Sequence, residues 1–255
     1  MSEERFQQIL EILSAQGSVK ISDLAKQLHI SEMSVRRDLI LLEKKGYLWR
    51  THGGAINTWG RNYEPPLFLN LPPRDLNKDE KKGIAQAAAE LVQPGDFIAL
   101  DLGTTTLEIA KFLVQKQDIT VVTPNFQAAS VLVNAPKIRV IITGGILRPG
   151  ELSMVGEVAE TIFEKYFVDK FFFGAACVDV SYGVTNFNLD EARLKRAMIK
   201  ASKSTILVAD SSKFSKRAFT KVCSIDDIDL LITDSKITEA DLLILKESGK
   251  QIKII

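Results

Sequence analysis

Three loops in the C-terminal part of the chain carry side chains that could hold a phosphorylated ligand. Asp101-Leu102-Gly103-Thr104-Thr105-Thr106 reads as a strand end, a glycine and three hydroxyls opening a helix. Backbone N–H groups at a helix start, the positive end of its dipole and short hydroxyl donors together make a cradle for an anion. The same residue types are ordinary helix caps, so the motif by itself leaves both roles open. Thr123-Pro124-Asn125 offers a hydroxyl and an amide, for sugar hydroxyls and the same phosphate, or for capping a helix after a proline turn. Thr143-Gly144-Gly145 would let backbone approach a ligand closely, or merely turn tightly.

Charged residues follow further on: Asp179 in CVDVSYGVTN, Glu191 and Lys195 in DEARLKRAM, and Lys213 in ADSSKF. Four residues apart, Glu191 and Lys195 have the spacing of an ordinary stabilised helix face. Asp179 could equally serve a turn. Beside a phosphate cradle, Asp179, Glu191 and Lys213 could also support isomerisation by proton transfer. Neither GxGxxG nor GxxxxGK[ST] occurs, so nicotinamide and P-loop chemistry are unsupported and no cofactor is expected.

A different chemistry resides in Ser31 to Gly54, SEMSVRRDLILLEKKGYLWRTHGG. Ser31 is placed to cap a helix whose Val35, Leu39, Leu42 and Ile40 face a core, leaving Glu32, Ser34, Arg36, Arg37 and Lys44 outward. A shorter helix with Ser22 as its N-cap precedes it, across a turn at His29 and Ile30, and an amphipathic helix over Glu3 to Ala15 comes first. Tyr47 to Arg50 and Ala55 to Asn57 read as two strands around the turn Thr51-His52-Gly53-Gly54. This is a winged helix-turn-helix, which places a helix in the major groove of double-stranded DNA. Candidate DNA contacts are Ser22, Ser31, Met33, Ser34, Arg36 and Arg37, with Arg50 and His52 on the wing against the backbone or minor groove. A solvated helix face or a protein-docking module would show the same spacing.

The elements that must position these groups fall into two domains and a connector. Residues 1–57 form the helix-turn-helix domain and residues 58–78 a linker with four prolines, in which Leu67, Phe68 and Leu69 lie against the second domain. Residues 79–255 alternate strand and helix, with Asn77 or Asp79 capping the first helix. Strands are expected at 97–101, 119–123, 138–143, 170–176, 205–210, 230–233 and 251–255, and helices at 80–91, 105–114, 126–133, 155–166, 190–201 and 239–247. That pattern predicts an α/β domain with a mainly parallel sheet, whose ligands sit beyond the carboxyl ends of its strands.

Composition excludes several classes. The net charge of +1 means that DNA binding must come from a local patch. Cys177 and Cys223 lack metal-ligand spacing, so no metal site is expected. No apolar run is long enough to span a bilayer and the N-terminus lacks a signal-peptide layout, so the expectation is a cytoplasmic protein without a membrane partner.

SVRRDLILLEKKG followed by WRTHGGA resembles the signature of DeoR-type bacterial transcriptional regulators, with Ser-Val where that family often has Thr-Ile. The second half, with EKKGIA, LDLGTTT, the TGG loop, KFFFGAA, EARLKRAMI and VADSSKF, resembles the DeoR sensor domain, itself similar to the fold of ribose-5-phosphate isomerase and glucosamine-6-phosphate deaminase. Thr-Pro-Asn stands where the family commonly has Thr-Asn-Ser. The resemblance implies that Ser34, Arg36 and Arg37 contact DNA and that Gly103, Thr104, Thr105 and Thr106 grip a phosphate. It also implies that Asp101, Asp179, Glu191 and Lys213 surround a sugar. The implied protein is a repressor of a carbohydrate operon, released by a phosphorylated sugar and acting as a homo-oligomer, dimer or tetramer, on paired half-sites. An activator or co-repressor mode is equally compatible with these residues, whereas an attached DNA reader gives catalysis no evident purpose.

Overall fold

In a computed structural model the described residues are 2–16, 18–44, 48–51, 53–56, 77–148 and 151–255. The chain divides into two compact units, Met1–Arg74 and Asp75–Ile255. The expected linker falls almost wholly outside the described residues, as do Tyr47, His52, Asn57, Leu67, Phe68 and Leu69.

The first unit runs α1 (Ser2–Gln16), β1 (Ser18–Lys20), α2 (Ile21–Gln27), α3 (Glu32–Lys44), β2 (Trp49–Arg50) and β3 (Gly54–Ile56). Its core gathers Ile9, Leu13, Ile21, Leu24, Val35, Leu39, Leu42 and Leu48, the apolar stripes of three helices meeting over a small sheet. The strands pair antiparallel in the order β1-β3-β2. A Cβ at Gly54 would stand 1.9 Å from the Val19 carbonyl oxygen, so only glycine lets β3 close on β1.

Ser31 accepts a hydrogen bond from the Ser34 N–H at 3.2 Å, as a cap of α3 should. Ser22 does not cap α2. The helix begins at Ile21 with Lys20 at the N-cap position, because β1 runs straight into it and the Ile21 N–H already donates to the Gly53 carbonyl at 2.9 Å. The Ser22 hydroxyl donates instead to Asp23. A fastening that periodicity did not announce is the buried Asp38, which accepts from Arg5 of α1 at 2.6 and 3.0 Å.

The second unit begins with α4 (Lys78–Ala89), β4 (Phe97–Leu100), α5 (Thr104–Leu113), β5 (Ile119–Thr123), α6 (Phe126–Leu132) and β6 (Ile138–Ile142). A hairpin of β7 (Ile146–Arg148) and β8 (Ser153–Val155) leads into α7 (Glu157–Lys165) and the central β9 (Val168–Phe173). Then come β10 (Cys177–Asp179), β11 (Gly183–Asn186), α8 (Leu189–Lys200), β12 (Ser202–Val208), β13 (Thr220–Cys223), β14 (Leu230–Thr233), α9 (Glu239–Glu247) and β15 (Gln251–Ile254).

Seven of these strands form one parallel sheet in the order β15-β14-β12-β9-β4-β5-β6. Strand β9 shows why both faces need helices. Phe172 packs with Ile84, Ile109 and Leu113 on the side of α4 and α5, whereas Phe171 and Phe173 pack with Phe163, Leu194 and Met198 on the side of α7 and α8. Successive side chains of a strand point to opposite faces, so three consecutive phenylalanines demand two cores. The β7-β8 hairpin and the antiparallel sheet β10-β11-β13 were not expected from sequence. Nor do Asn77 and Asp79 cap α4 as expected: Asn77 sits at the N-cap with φ 55° and turns its amide to Asp210 Oδ1 at 2.8 Å and Ser212 Oγ at 3.1 Å.

Strand order runs β4-β5-β6 in one direction and β9-β12-β14-β15 in the other. The switch point therefore lies between β4 and β9, the place in such sheets beyond which ligands bind.

Candidate functional site

In the first unit α3 presents Met33, Arg36 and Arg37 to solvent, with Ser34 half-buried beside them. The Ser31 and Ser34 hydroxyls lie 3.0 Å apart. Arg36 is 3.9 Å from Glu32, an exposed pair that restrains it little, and Arg37 has no ion-pair partner among the described residues. Arg50 is more constrained, because its Nε and backbone N–H donate to the Glu43 carboxylate at 2.7 and 2.9 Å. Burial pushes the Glu43 carboxyl up, but the bonds from Arg50 outweigh it and hold the group below the usual carboxylate range. Ser22 is half-buried, and His52 lies outside the described residues.

In the second unit the switch point is occupied by a buried ion pair. Asp101 follows β4 and donates its backbone N–H to the Phe172 carbonyl of β9 at 3.0 Å. Its Oδ2 accepts from the Gly174 N–H at 3.0 Å and from Lys195 Nζ, which also donates to the Gly174 carbonyl at 2.8 Å. Both side chains are almost fully buried, 0% exposed for Asp101 and 3% for Lys195. Asp101 Oδ1 nonetheless has no hydrogen-bond partner. Burial raises the Asp101 carboxyl above its ordinary value, and Lys195 offsets this only in part.

The first loop is only partly the expected cradle. Gly103 takes φ 119° ahead of α5, and the first-turn N–H groups of Thr104 and Thr105 have no carbonyl partner within the helix. Thr104 is half-buried at the helix start. Thr106 is not an outward donor. It is fully buried and its hydroxyl donates back to the Asp101 carbonyl at 2.7 Å, stapling the loop.

The second and third loops carry more structural duty than sequence suggested. Asn125 accepts from the N–H groups of Gln127 and Ala128 at 3.0 and 3.1 Å and donates to the Gly103 carbonyl at 3.2 Å, so its amide is spent on capping α6 and joining two loops. Buried Thr123 accepts from the Asn125 N–H at 3.0 Å. The hairpin fastens onto the same loop, with Phe126 N–H donating to the Leu152 carbonyl at 2.9 Å and Met154 N–H to the Pro124 carbonyl at 2.8 Å. Gly144 and Gly145 have φ 71° and 107°. A Cβ at Gly145 would meet the Val155 carbonyl oxygen at 2.6 Å, so close passage of β8 alone accounts for that glycine.

Glu191 and Lys195 are not a solvated i,i+4 pair. Both point inward, and Glu191 pairs with Arg148 from β7 and with the Asn186 amide at 2.9 Å. The missed signal was legible: residues 191, 194, 195 and 198 share one helix face, and Leu194 and Met198 mark it as the buried one. Asp179 is placed in the β10-β11 turn, not beyond a strand of the main sheet, and accepts from the N–H groups of Ser181 and Tyr182 at 3.0 and 3.2 Å. Lys213, half-buried in the 3₁₀ turn Ser211–Lys213 after β12, has no ion-pair partner among the described residues. Sequence reading passed over Asp210, which is buried at the same turn with Oδ2 unpartnered.

Among the described residues no cluster of three His, Cys, Asp or Glu side chains could hold a metal, and no helix is long and apolar enough to cross a membrane. Cys177 and Cys223 are buried thiols, with burial pushing Cys223 up to about 12.

Residues 5–58 match the family described as DeoR-like helix-turn-helix domain and residues 76–235 that described as DeoR C terminal sensor domain. The chain is 35% identical over 99% of its length to the putative aga operon transcriptional repressor of Escherichia coli O157:H7, covering 93% of that protein. It is 29% identical to the glycerol-3-phosphate regulon repressor of Escherichia coli K12, with 98% of each chain covered. Ribose 5-phosphate isomerase A from Methanocaldococcus jannaschii has a similar fold, at 18% identity and a TM-score of 0.41, over 55% of this chain and 56% of that one.

Proposed function

The chain belongs to the DeoR family of helix-turn-helix transcriptional regulators, and from that premise we propose that it represses a carbohydrate-metabolism operon and leaves the DNA when a phosphorylated sugar binds its second unit. It works in the cytoplasm as a homo-oligomer of at least two copies, matching paired half-sites of a double-stranded operator. Residues 1–57 are the reader, 58–78 the connector and 79–255 the sensor. The naming of one relative after a phosphorylated three-carbon polyol supports a phosphorylated effector. Family membership supports sensing and not turnover for the second unit.

The observation that carries the sensor reading is the orphan oxygen Asp101 Oδ1 at the sheet's switch point. A buried carboxylate oxygen without a donor is costly, and a ligand hydroxyl supplies that donor. The N–H groups of Thr104 and Thr105 and the Thr104 hydroxyl, at the positive end of α5, take the phosphate. Lys195 and Glu191 complete the polar wall, with Lys213 as a further cation. In the reader, Arg36 and Arg37 contact base edges or phosphates, and Met33 offers an apolar contact for a thymine methyl. Ser31, Ser34, Ser22, Arg50 and His52 contact the backbone. A ligand preferring the released arrangement by about 1–3 kcal/mol suffices for switching.

The test is a fluorescence-anisotropy titration of promoter DNA flanking the protein's own gene, repeated with a panel of aldose, ketose and polyol phosphates. Release by one phosphorylated member and not by its unphosphorylated counterpart is expected. Tight DNA binding that no member alters, with no member raising the Tm, refutes the effector class.

A further inference from the structure

In the second unit, α7 is apolar on two sides. Ala159 and Phe163 point into the core. On the other side one groove is lined by Val158, 65% exposed, by Ile162 four residues on, which is partly buried, and by exposed Tyr166 just past the helix end, followed by Phe167, 77% exposed. Ile146 of the hairpin, 71% exposed, adjoins the start of the helix: its Cδ1 would lie 3.6 Å from a Cβ at Gly156. A solvent-facing helix ordinarily keeps one apolar stripe. These side chains leave on the order of 500 Å² of surface in water, within the range of a typical monomer's largest patch and a good part of the about 800 Å² one partner gives to a stable interface.

Along the stripe runs an open groove of about 460 Å³, with Thr143 on its far wall, Glu157 at one end and Lys165 at the other. Neither charge has an ion-pair partner among the described residues. One cation facing one anion across an apolar floor gives no convergent donors for a phosphate. It does give a pattern complementary to itself when reversed, which an isologous contact requires. Eight residues separate the two charges, about 12 Å along the helix.

We propose that this face is the seam between two copies of the chain, with α7 packed antiparallel against the α7 of the second copy across a two-fold axis. Each Glu157 then meets the Lys165 of the other copy, and the Val158-Ile162-Tyr166 stripes fill each other's grooves. The inference rests on the assembly proposed above and adds where the copies meet.

Sedimentation velocity on the full chain without DNA, over a concentration series, tests it. Val158→Asp should weaken the association at least about 100-fold by burying a carboxylate at the seam. Glu157→Lys and Lys165→Glu should each weaken it about 10-fold by setting like charges opposite one another. The double variant Glu157→Lys/Lys165→Glu should return to within about threefold of the wild type, since reversed charges again match. All three positions point away from the core, so unfolding midpoints at low concentration should be unchanged; if Val158→Asp fails to fold, the charge series decides alone. An oligomeric wild type whose association none of these changes weakens overturns the seam and leaves the assembly standing. A double variant as weak as its singles overturns the antiparallel arrangement. A wild type monomeric throughout removes the assembly itself.

Discussion

The two working regions of this chain are built on opposite plans. The groups proposed to read DNA are exposed: Arg36 and Arg37 stand on the outer face of α3. Those proposed for the sensor are buried and tied to one another, Asp101 to Lys195 and Glu191 to Arg148, with Asp101 Oδ1 left over from these pairs. A reader can be altered at its surface with little effect on the fold, whereas in the sensor the proposed binding groups are part of what holds the fold. Stability and recognition should therefore separate in one unit and coincide in the other.

The strongest challenge to that contrast is Lys195→Met, which strands Asp101 as a buried charge. The expected loss is about 3–5 kcal/mol in the sensor's urea transition, and a loss below ~1 kcal/mol would mean that the pair is not integral to the fold. Its pH dependence follows from the raised Asp101 carboxyl. The folded state binds that proton more tightly than the unfolded one, so this group's contribution falls as pH rises from the unfolded carboxylate value through the folded one. The deficit of the variant should accordingly shrink toward acid.

Next in size, Arg36→Ala should cost about 1–3 kcal/mol in DNA binding while leaving the Tm and phosphosugar affinity unchanged. A shifted Tm would break the separation claimed for the reader. Within the sensor, Thr104→Val and Thr106→Val sharpen the division between gripping and stapling. The first should lower effector affinity about 5- to 10-fold at constant stability, and the second should cost about 1 kcal/mol of stability; equal effects in both assays would erase the distinction. The smallest effect is at Glu43. Glu43→Gln frees the Arg50 guanidinium and should strengthen DNA binding about twofold at low salt. The carboxyl is held below its usual range, so its bond with Arg50 adds stability above the unfolded carboxylate value and loses it as pH falls through the folded one. A Glu43→Gln variant indifferent to this range supports that origin.

Legibility in the sequence follows the same divide. Outward residues of α3 could be read from Val35, Leu39 and Leu42, because a period of 3.6 also says what lies on the other face. The parallel sheet was legible for a similar reason, since runs such as Phe171 to Phe173 suit only a strand covered on both sides. The buried pairs were not, because 94 residues separate Asp101 from Lys195 and 43 separate Arg148 from Glu191. Local spacing instead paired Glu191 with Lys195. Strands of three residues, as in β7, β8 and β10, are too short to show alternation, and Ser22 has the right type for a cap but stands one position inside a helix whose start β1 dictates.

The tie from Asn125 to the Gly103 carbonyl has a mechanical consequence. Gly103 is clamped to the loop after β5, that loop to the hairpin through Leu152 and Met154, and the hairpin runs on through Val155 and Gly156 into α7. Each link is a backbone or cap hydrogen bond near 3 Å, so the path has little slack. A ligand that shifts the start of α5 by a fraction of an ångström must either stretch one of those bonds or push α7, and a rigid train of this kind carries a load farther than it deforms.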